Sequence, residues 1–468
     1  MSQHLDEITK EYAKLTKHPS GSIKELFTIS FPLMLSFLSN YLMLFFDRLI
    51  IANYSLEAMN AITASSLFCM IFQYGAIGIA SIAEVFVGQY NGSKQYSKVA
   101  MPVWQMIWFS LMCFPIFFLL AKFGGPIFLT DYYYQEYALP YYKWIMYFNI
   151  SFAIQTAISA FFIGTGKVRI ITIATVLANI INIALDILLI FGIKGIVPSF
   201  GTKGAALATG FAQIFQIAFL LIFFLSFKNR EKYNTHHLTF RPKILKKCLR
   251  IGAPSAVGHM IEITAWALVM NMMAVVSGTF LTVMAVGQNI YVVIAFATSG
   301  LQKAVSTVSA NLIGAKNYLK VAKSWFSAVK LLLIFAAIVS LVLLVYPDPL
   351  INAFLAKETS KVNIAELFTF IRITCVFLWV YFIVDGLTWV SAGILTAAGD
   401  TMFIMVMNAF GAWCFALIPI YFFVYKNPTW PPLVWILMDF YGFMNAISFY
   451  LRYRYKKARG FDNKVLSK

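Results

Sequence analysis

The chain has 468 residues, of which 60% are hydrophobic and only 12% are charged. Soluble domains carry about 25% charged residues, so this composition excludes an ordinary soluble enzyme, a disordered chain and a collagen-like fibre. The net charge is nevertheless +18. A very apolar chain with a basic balance predicts a multi-pass membrane protein. Nucleic-acid binding is a distant alternative. The placement of the charges along the chain distinguishes the two.

The amino-terminal 22 residues are polar and lack the apolar core and cleavage site of a signal peptide. We therefore expect residues 1–22 to be a tail and the next apolar run to remain as a membrane span. None of the five cysteines belongs to a CxxC pair, which favours packing roles over metal binding or disulfide bonds.

Twelve apolar segments follow, each long enough to cross a bilayer as a helix, which takes about 20 residues. The predicted spans cover residues 25–52, 59–88, 100–121, 137–163, 170–192, 204–227, 251–276, 281–312, 325–346, 364–396, 402–424 and 432–452. No alternating pattern typical of a transmembrane barrel is present. The predicted fold class is an all-α polytopic membrane protein.

The basic residues give this topology an orientation. On the side that carries both termini fall 26 of the Lys and Arg residues, against six on the opposite side. This asymmetry is the positive-inside rule, and it predicts cytoplasmic N and C termini. The charge excess therefore encodes topology, and no nucleic-acid partner is expected.

The chain has two related halves. VGQYNGSKQYSKVA at 87–100 matches SANLIGAKNYLKVA at 309–322, and Pro32 and Pro254 have the same offset of 222 residues. Each half has an even number of spans, which predicts parallel repeats related by an axis along the membrane normal. The predicted organisation is an N-lobe at 23–227, a basic cytoplasmic linker at 228–250, a C-lobe at 251–452 and a cytoplasmic tail at 453–468. Two such bundles around a cleft indicate alternating access.

Carboxylates inside the membrane are the strongest functional signal, because their insertion is costly and they mark ion or substrate paths. Those within the predicted spans are Asp47, Glu84, Asp186, Glu262, Asp385 and Asp439. In the fifth span polar residues recur at a spacing of three and four, which places Thr172, Thr175, Asn179, Asn182 and Asp186 on one face. Together with Asp47, that face offers oxygen ligands suited to a proton or to Na⁺.

The second half has its own polar set. His259 and Glu262 share a face of the seventh span, Gln288 lies in the eighth, and Tyr381 and Asp385 share a face of the tenth. The alternative for each acid is a structural hydrogen bond or an ion pair. The basic candidates inside spans are Arg48, Lys143, Lys303, Lys330 and Arg372.

Six segments, in the expected order and on the expected predicted helices, resemble the multidrug and toxic compound extrusion (MATE) family of the MOP flippase superfamily. They are Pro32 followed by Asp47, EVFVGQYNGS at 84–93, NIALDILLIFG at 182–192, GAALAT at 204–209, GAPSAVGHMIE at 252–262, and the region of Asp385 with GILTAAGDT at 393–401.

The resemblance implies two six-helix lobes around a V-shaped cavity in the cell membrane. It implies a cofactor-free exporter, expected to be a monomer, that exchanges amphipathic, often cationic organic compounds for inward H⁺ or Na⁺. By carry-over, the N-lobe cation site, with Na⁺ as one possible ion, is Asp47, Asn182, Asp186 and Thr209. The corresponding C-lobe set is Glu262 and Asp385. Further site candidates are Glu84, Asn179, Gln288, Tyr381 and His259, and the candidate helix kinks are Pro32 and Pro254.

One residue departs from the family pattern: Arg48 follows Asp47, where a small polar residue is usual. The alternative within the superfamily is a flippase for lipid-linked oligosaccharides or other lipids, which would predict an arginine-lined cavity. A membrane-embedded enzyme is a weaker alternative, because His259 is the one histidine inside a predicted span. As a mechanism, we expect Asp47 and Asp186 to share one proton whose binding bends the first helix at Pro32.

Overall fold

The computed structural model describes residues 14–129, 135–355 and 364–461. Within these ranges, twelve helices are long and apolar enough to cross a membrane. They are α1 (Ile23–Tyr54), α2 (Leu56–Ala80, continued by Ala83–Gly92), α3 (Tyr96–Phe128), α4 (Gln135–Gly164), α5 (Val168–Phe191), α6 (Gly201–Phe224), α7 (Pro242–Val276), α8 (Gly278–Gly314), α9 (Tyr318–Val345), α10 (Ile364–Ala397), α11 (Thr401–Tyr425) and α12 (Leu433–Ala458). The predicted all-α class and the count of spans are confirmed. Residues 1–13 and 462–468 of the predicted tails, and Lys357 and Lys361 in a predicted loop, lie outside the described residues.

The structure differs from the predicted bounds mainly in two helices. The segment predicted as linker at 228–250 contains a short helix, Phe227–Tyr233, and the first turns of α7, which begins at Pro242. Proline is well suited to the first turn of a helix, and Leu245 and Cys248 bury the inner face of this basic extension. Hydropathy alone misses such a start, because the exposed face of the extension is charged.

The third helix is less regular than predicted. Its first α-helical segment ends at Met112, Pro115 lies in the first turn of the next one, and a π-helical turn at Leu120–Gly124 precedes the last turn. A proline cannot continue the hydrogen-bond ladder of the preceding turn, so it marks a break.

The helices pack as two lobes, α1–α6 and α7–α12, with the same internal neighbours in each. In the N-lobe α1 packs on α5 and α2 on α4; in the C-lobe α7 packs on α11 and α8 on α10. Between the lobes, α1 packs on α8 and α2 on α7. Moving each helix of the pair α1–α8 by six positions in the chain gives the pair α7–α2. The two contacts between the lobes are therefore equivalent, as parallel repeats require.

Local chain geometry repeats as well. Ser55 and Ser277, 222 residues apart, are extended N-caps of α2 and α8, and each accepts from the backbone N–H three residues on. Lys94 and Lys316, at the same offset, both have a left-handed backbone, with φ of 59° and 58°. Non-glycine residues rarely adopt this conformation, so its recurrence at matched positions supports a true structural repeat.

The lobes touch through reciprocal glycine contacts. Gly92 lies against the backbone of Asn311, and Gly314 lies against that of Gln89. Because 92 pairs with 314 and 89 with 311 in the repeat, each contact is the image of the other across a pseudo-two-fold axis. Gly78 against Ala256 and Gly300 against Met34 form a second reciprocal pair.

The same axis relates buried amides. Gln89 Nε2 donates to the carbonyl of Ala397 at 2.7 Å, and Asn311 Nδ2 donates to that of Gly164 at 2.9 Å. Gly164 and Ala397 are the last residues of the equivalent helices α4 and α10. These bonds fix the register of the two lobes where the loops at 93–95 and 315–317 leave the bundle.

Candidate functional site: two acidic cavities

The N-lobe cavity lies between α1, α2, α4 and α6, with α5 behind it. It has a volume of about 50 Å³, enough for more than one water molecule. Among the described residues that line it are Asp47, Arg48, Ser66, Tyr141 and Thr209.

Of the four predicted N-lobe residues, Asp47 and Thr209 line this cavity, and Asn182 and Asp186 of α5 lie against them. With its amide nitrogen facing α1, Asn182 donates to Asp47 Oδ1 at 2.8 Å and accepts from the Thr209 backbone N–H at 3.3 Å. Asn182 and Asp186 are fully buried. The helical spacing of α5 puts both on the face that meets α1 and α6.

The two aspartates lie side by side. The carboxyl group of Asp186 is within hydrogen-bonding reach of that of Asp47. Neither Asp186 oxygen accepts a hydrogen bond from a donor among the described residues. Since an ionised carboxylate has no hydrogen to donate, a bond between the two groups requires a proton on one of them.

Arg48 does not neutralise this pair by a direct bond in the described structure. Its Nη1 donates to Thr63 Oγ1 of α2 at 3.0 Å. Adjacent helix residues point in different directions, so Arg48 lines the cavity from another side than Asp47.

Further along α5, polar residues tie it to α1. Asn179 Nδ2 donates to Ser39 Oγ at 2.8 Å and to Asn40 Oδ1 at 3.2 Å. Thr172 Oγ1 donates to the carbonyl of Pro32 at 2.7 Å. These contacts hold the two helices together beside the proline.

The C-lobe cavity, of about 30 Å³, contains both predicted acids of that lobe, Glu262 and Asp385. Glu262 lies 3.5 Å from His259 Nδ1 and accepts from Asn408 Nδ2 at 3.3 Å and from the Tyr441 hydroxyl at 3.5 Å. These hydrogen bonds are long and therefore weak, so the carboxylate of Glu262 can exchange one of them for another partner.

Asp385 is held more tightly. Trp389 Nε1, one turn along α10, donates to Asp385 Oδ2 at 2.6 Å, and the Tyr291 hydroxyl of α8 donates to the same oxygen. The Trp389 ring stacks on His259 with centroids 6.1 Å apart. The cavity therefore combines two carboxylates with aromatic surface.

Three of the remaining candidates lie elsewhere. Tyr381 is buried against the rings of Tyr291 and Trp435. Gln288, on α8, lines neither of these two cavities. Glu84 forms an ion pair across the lobe interface with Lys303 Nζ at 2.8 Å. Lys303 was one of the basic residues that the sequence offered as partners for the buried acids. Its ion pair with Glu84 favours a structural role for that carboxylate.

Several residues of the two sites were not among the predicted site residues: Thr63, Tyr141, Tyr291, Trp389, Asn408 and Tyr441. Trp389 carried a detectable signal, since it lies four residues after Asp385 on one helix. The others come from helices whose lateral placement no local pattern specifies. Outside both sites, Asp400 is buried against Arg452 at 2.7 Å.

Comparison with known proteins agrees with this architecture. The MatE family model matches residues 32–188 and 254–422, one block in each lobe. The chain belongs to this family. The resemblance drawn from the six sequence segments is thus confirmed.

Individual relatives match over most of their length. A probable multidrug resistance protein NorM of Thermotoga maritima is 24% identical over 86% of either chain. A protein of the same description from Bacillus cereus is 24% identical over 86% of this chain and 88% of its own. The probable multidrug resistance protein YoeA of Bacillus subtilis is 21% identical over 74% of each.

Solved structures show the same fold. One, described as an outward-facing multidrug resistance MATE family transporter of the MOP superfamily, superposes with a TM-score of 0.84 at 18% identity over 96% of this chain and 99% of its own. A MOP superfamily transporter from Pyrococcus furiosus, described as having a binding pocket of reverse polarity, gives 0.82 at 18% identity and the same coverage.

Proposed function

We propose that this MatE-family membrane protein is a secondary active exporter of amphipathic, often cationic organic compounds, driven by inward H⁺ or Na⁺. The observation that carries the proposal is the pair of adjacent carboxyl groups, Asp47 and Asp186, buried in the N-lobe. Two like charges in a buried site are stable only with a cation between them. The pair therefore suits a bound proton or Na⁺, and the names of the relatives supply the class of transported compound.

The coupling follows from where the pair sits. Asp47 belongs to α1, the helix that carries Pro32 and packs on the opposite lobe through α8, whereas Asp186 belongs to α5. Binding of a cation between Asp47 and Asp186 removes the repulsion between their carboxylates, and with it the repulsion between α1 and α5. Release of the cation restores that repulsion. An ion can drive transport only if it binds the two conformations with different affinities, and this contact supplies such a difference.

The C-lobe cavity is the proposed contact for the cationic group of the substrate. Glu262 supplies negative charge, and the Trp389 ring next to it supplies a face that attracts cations. Gln302, Thr388 and Asn408 also line this cavity and supply further hydrogen-bonding groups around that charge. Export by a monomer is consistent with two lobes that enclose both cavities in one chain.

The orientation proposed from the charges fits the packing. The reciprocal contacts of Gly92 and Gly314 join the lobes at the end that the positive-inside rule assigns to the cytoplasm. Ser55 and Ser277, which begin α2 and α8, lie at the other end of those helices. A bundle held at its inner end corresponds to an outward-facing state.

The flippase alternative has less support. A site for a lipid pyrophosphate needs several arginines, but the C-lobe cavity is lined by Glu262, Asp385 and His259. Among the described lining residues of the N-lobe cavity, Arg48 is the one arginine, and it lies beside the acidic Asp47. Ethidium accumulation in cells expressing the protein distinguishes the two. We expect expression to lower accumulation, and an uncoupler or sodium removal to abolish that effect. Unchanged accumulation together with translocation of a labelled glycolipid would favour the flippase.

A further inference from the structure

A groove runs along the outer surface of the N-lobe between α1 and α5. It consists of two adjoining cavities of about 450 Å³ and 470 Å³, which share Thr28 and Arg169 in their linings. Each has the size of a small-molecule site, about 300–1,000 Å³. We call the whole the α1–α5 groove. It is separate from both acidic cavities.

The membrane-facing part of this groove is apolar. Phe27, Phe31, Leu35 and Ile173 line it with exposed fractions between 40% and 52%. The rings of Phe27 and Phe31 stack with centroids 5.4 Å apart. Because these residues belong to membrane-spanning helices, their exposed faces meet hydrocarbon and not water.

The other end of the groove is basic. Lys17, His18 and Arg169 line it, and none of the described lining residues of the groove is acidic. Lys17 and Arg169 are exposed and make no ion pair with a described residue. Lys167 also borders this end, but its ammonium is held by Asn229 Oδ1 at 2.7 Å.

The groove passes over the proline of α1. Pro32 has no N–H, so the carbonyl of Thr28 one turn earlier lacks its usual helical donor. Both residues line the groove, as does Thr172, which bonds to the Pro32 carbonyl. A molecule in the groove would contact α1 on both sides of the point where it can bend.

We propose that the α1–α5 groove binds an anionic phospholipid, with its phosphate at Lys17 and Arg169 and an acyl chain along Phe27, Phe31 and Ile173. Basic pockets beside transmembrane helices on the cytoplasmic side are where anionic head groups bind. In the α1–α5 groove such a basic pocket continues into an apolar part, which an acyl chain can occupy and a free anion would not. The bound lipid stabilises α1 in the conformation observed here, whatever the coupling ion and the transported compound.

The test is thermal unfolding of the full chain in detergent with added phosphatidylglycerol, phosphatidylcholine of the same chains, or glycerol 3-phosphate. We expect phosphatidylglycerol to raise Tm more than phosphatidylcholine does, and glycerol 3-phosphate to have no effect. The double variant Lys17→Ala/Arg169→Ala should lose at least half of the difference between the two lipids. Ile173→Trp, which fills the apolar channel and keeps the basic end, should lose it as well.

Lys243→Ala/Lys246→Ala is the matched control, because it removes two exposed charges from the start of α7, outside the groove. It should keep the full difference. An undiminished difference in Lys17→Ala/Arg169→Ala, or an equal loss in the control, would overturn the proposal. So would an equal rise in Tm with glycerol 3-phosphate, which would assign the basic end to a free anion.

Discussion

The carboxyl group of Asp186 faces that of Asp47, and neither Asp186 oxygen accepts a hydrogen bond from a described donor. This arrangement differs from a structural acid, which buries its carboxylate only with donors around it. Asp400, held by Arg452, is an example of the structural kind. Because the Asp47–Asp186 pair lacks such donors, we expect a cation from solution to bind there and to stabilise the two carboxyl groups.

Asn182 positions this pair, and its replacement tests that role. Asn182→Leu removes the N–H that donates to Asp47 and the oxygen that accepts from Thr209. Losing a bond to a charged group costs about 1.5–3 kcal/mol, so we expect the apparent affinity for the coupling ion to change by about tenfold or more, and to rise if that ion is a proton, because the lost N–H stabilised the ionised carboxylate. Transport against ion concentration measures it, and Asn53→Ala, on the exposed surface of α1, should leave the affinity unchanged.

The ion pair between Glu84 and Lys303 should stabilise the contact between the two lobes. Glu84 has 3% of its side chain exposed, so Lys303→Met leaves a buried, unpaired carboxylate. Breaking a buried pair from one side costs about 3–5 kcal/mol, and partial exposure of Lys303 places the expected loss near the lower value. Thermal unfolding in detergent measures this.

Glu84→Gln/Lys303→Met removes both charges and should recover much of the lost stability. A double variant that is as unstable as the sum of the single changes would show that the two residues do not interact.

The reciprocal contacts of Gly92 and Gly314 predict that substitution of either glycine has a similar effect on stability. A Cβ on Gly92 would overlap the Asn311 carbonyl, and one on Gly314 would overlap that of Gln89. Each alanine substitution should force the lobes apart at this contact, costing about 1–3 kcal/mol, and should reduce transport. At Gly278 nothing lies within 4 Å of an added Cβ, so Gly278→Ala should behave as wild type. A strong defect at one of the paired glycines and none at the other would argue against the pseudo-symmetric contact.

The proposed role of Glu262 predicts a difference between substrates. Glu262→Gln keeps the shape of the cavity and removes its charge, so KM for a monocationic compound should rise by about tenfold, equivalent to about 1.4 kcal/mol. KM for a neutral compound of similar size should change little. Equal changes for both would show that Glu262 acts on folding or on the transport cycle instead of on substrate charge.

Much of the fold was accessible from the sequence, because membrane helices must be long and apolar and must satisfy their own backbone groups. The twelve spans follow from this constraint, and the match between 87–100 and 309–322 revealed the repeat. The helical start at Pro242 was missed, because hydropathy does not detect a charged helix that leaves the membrane.

The sites were accessible only where their residues share a helix or a family motif. The spacing of Asn179, Asn182 and Asp186 on α5 marked the N-lobe face, and the structure places Asn182 against Asp47. The donors to Asp385 and Glu262 include Tyr291 and Tyr441, from α8 and α12. Such contacts depend on how helices pack laterally, and a sequence pattern of one helix carries no information about that.

Reconstituted transport under one imposed gradient at a time, pH or sodium, tests the central claim most directly. For the wild type we expect one of the gradients to drive export, and for Asp186→Asn we expect neither to drive it while substrate still binds. Asp439→Asn, a buried acid of α12 outside both cavities, should retain gradient-driven export. Export by Asp186→Asn with wild-type dependence on either gradient would contradict the account.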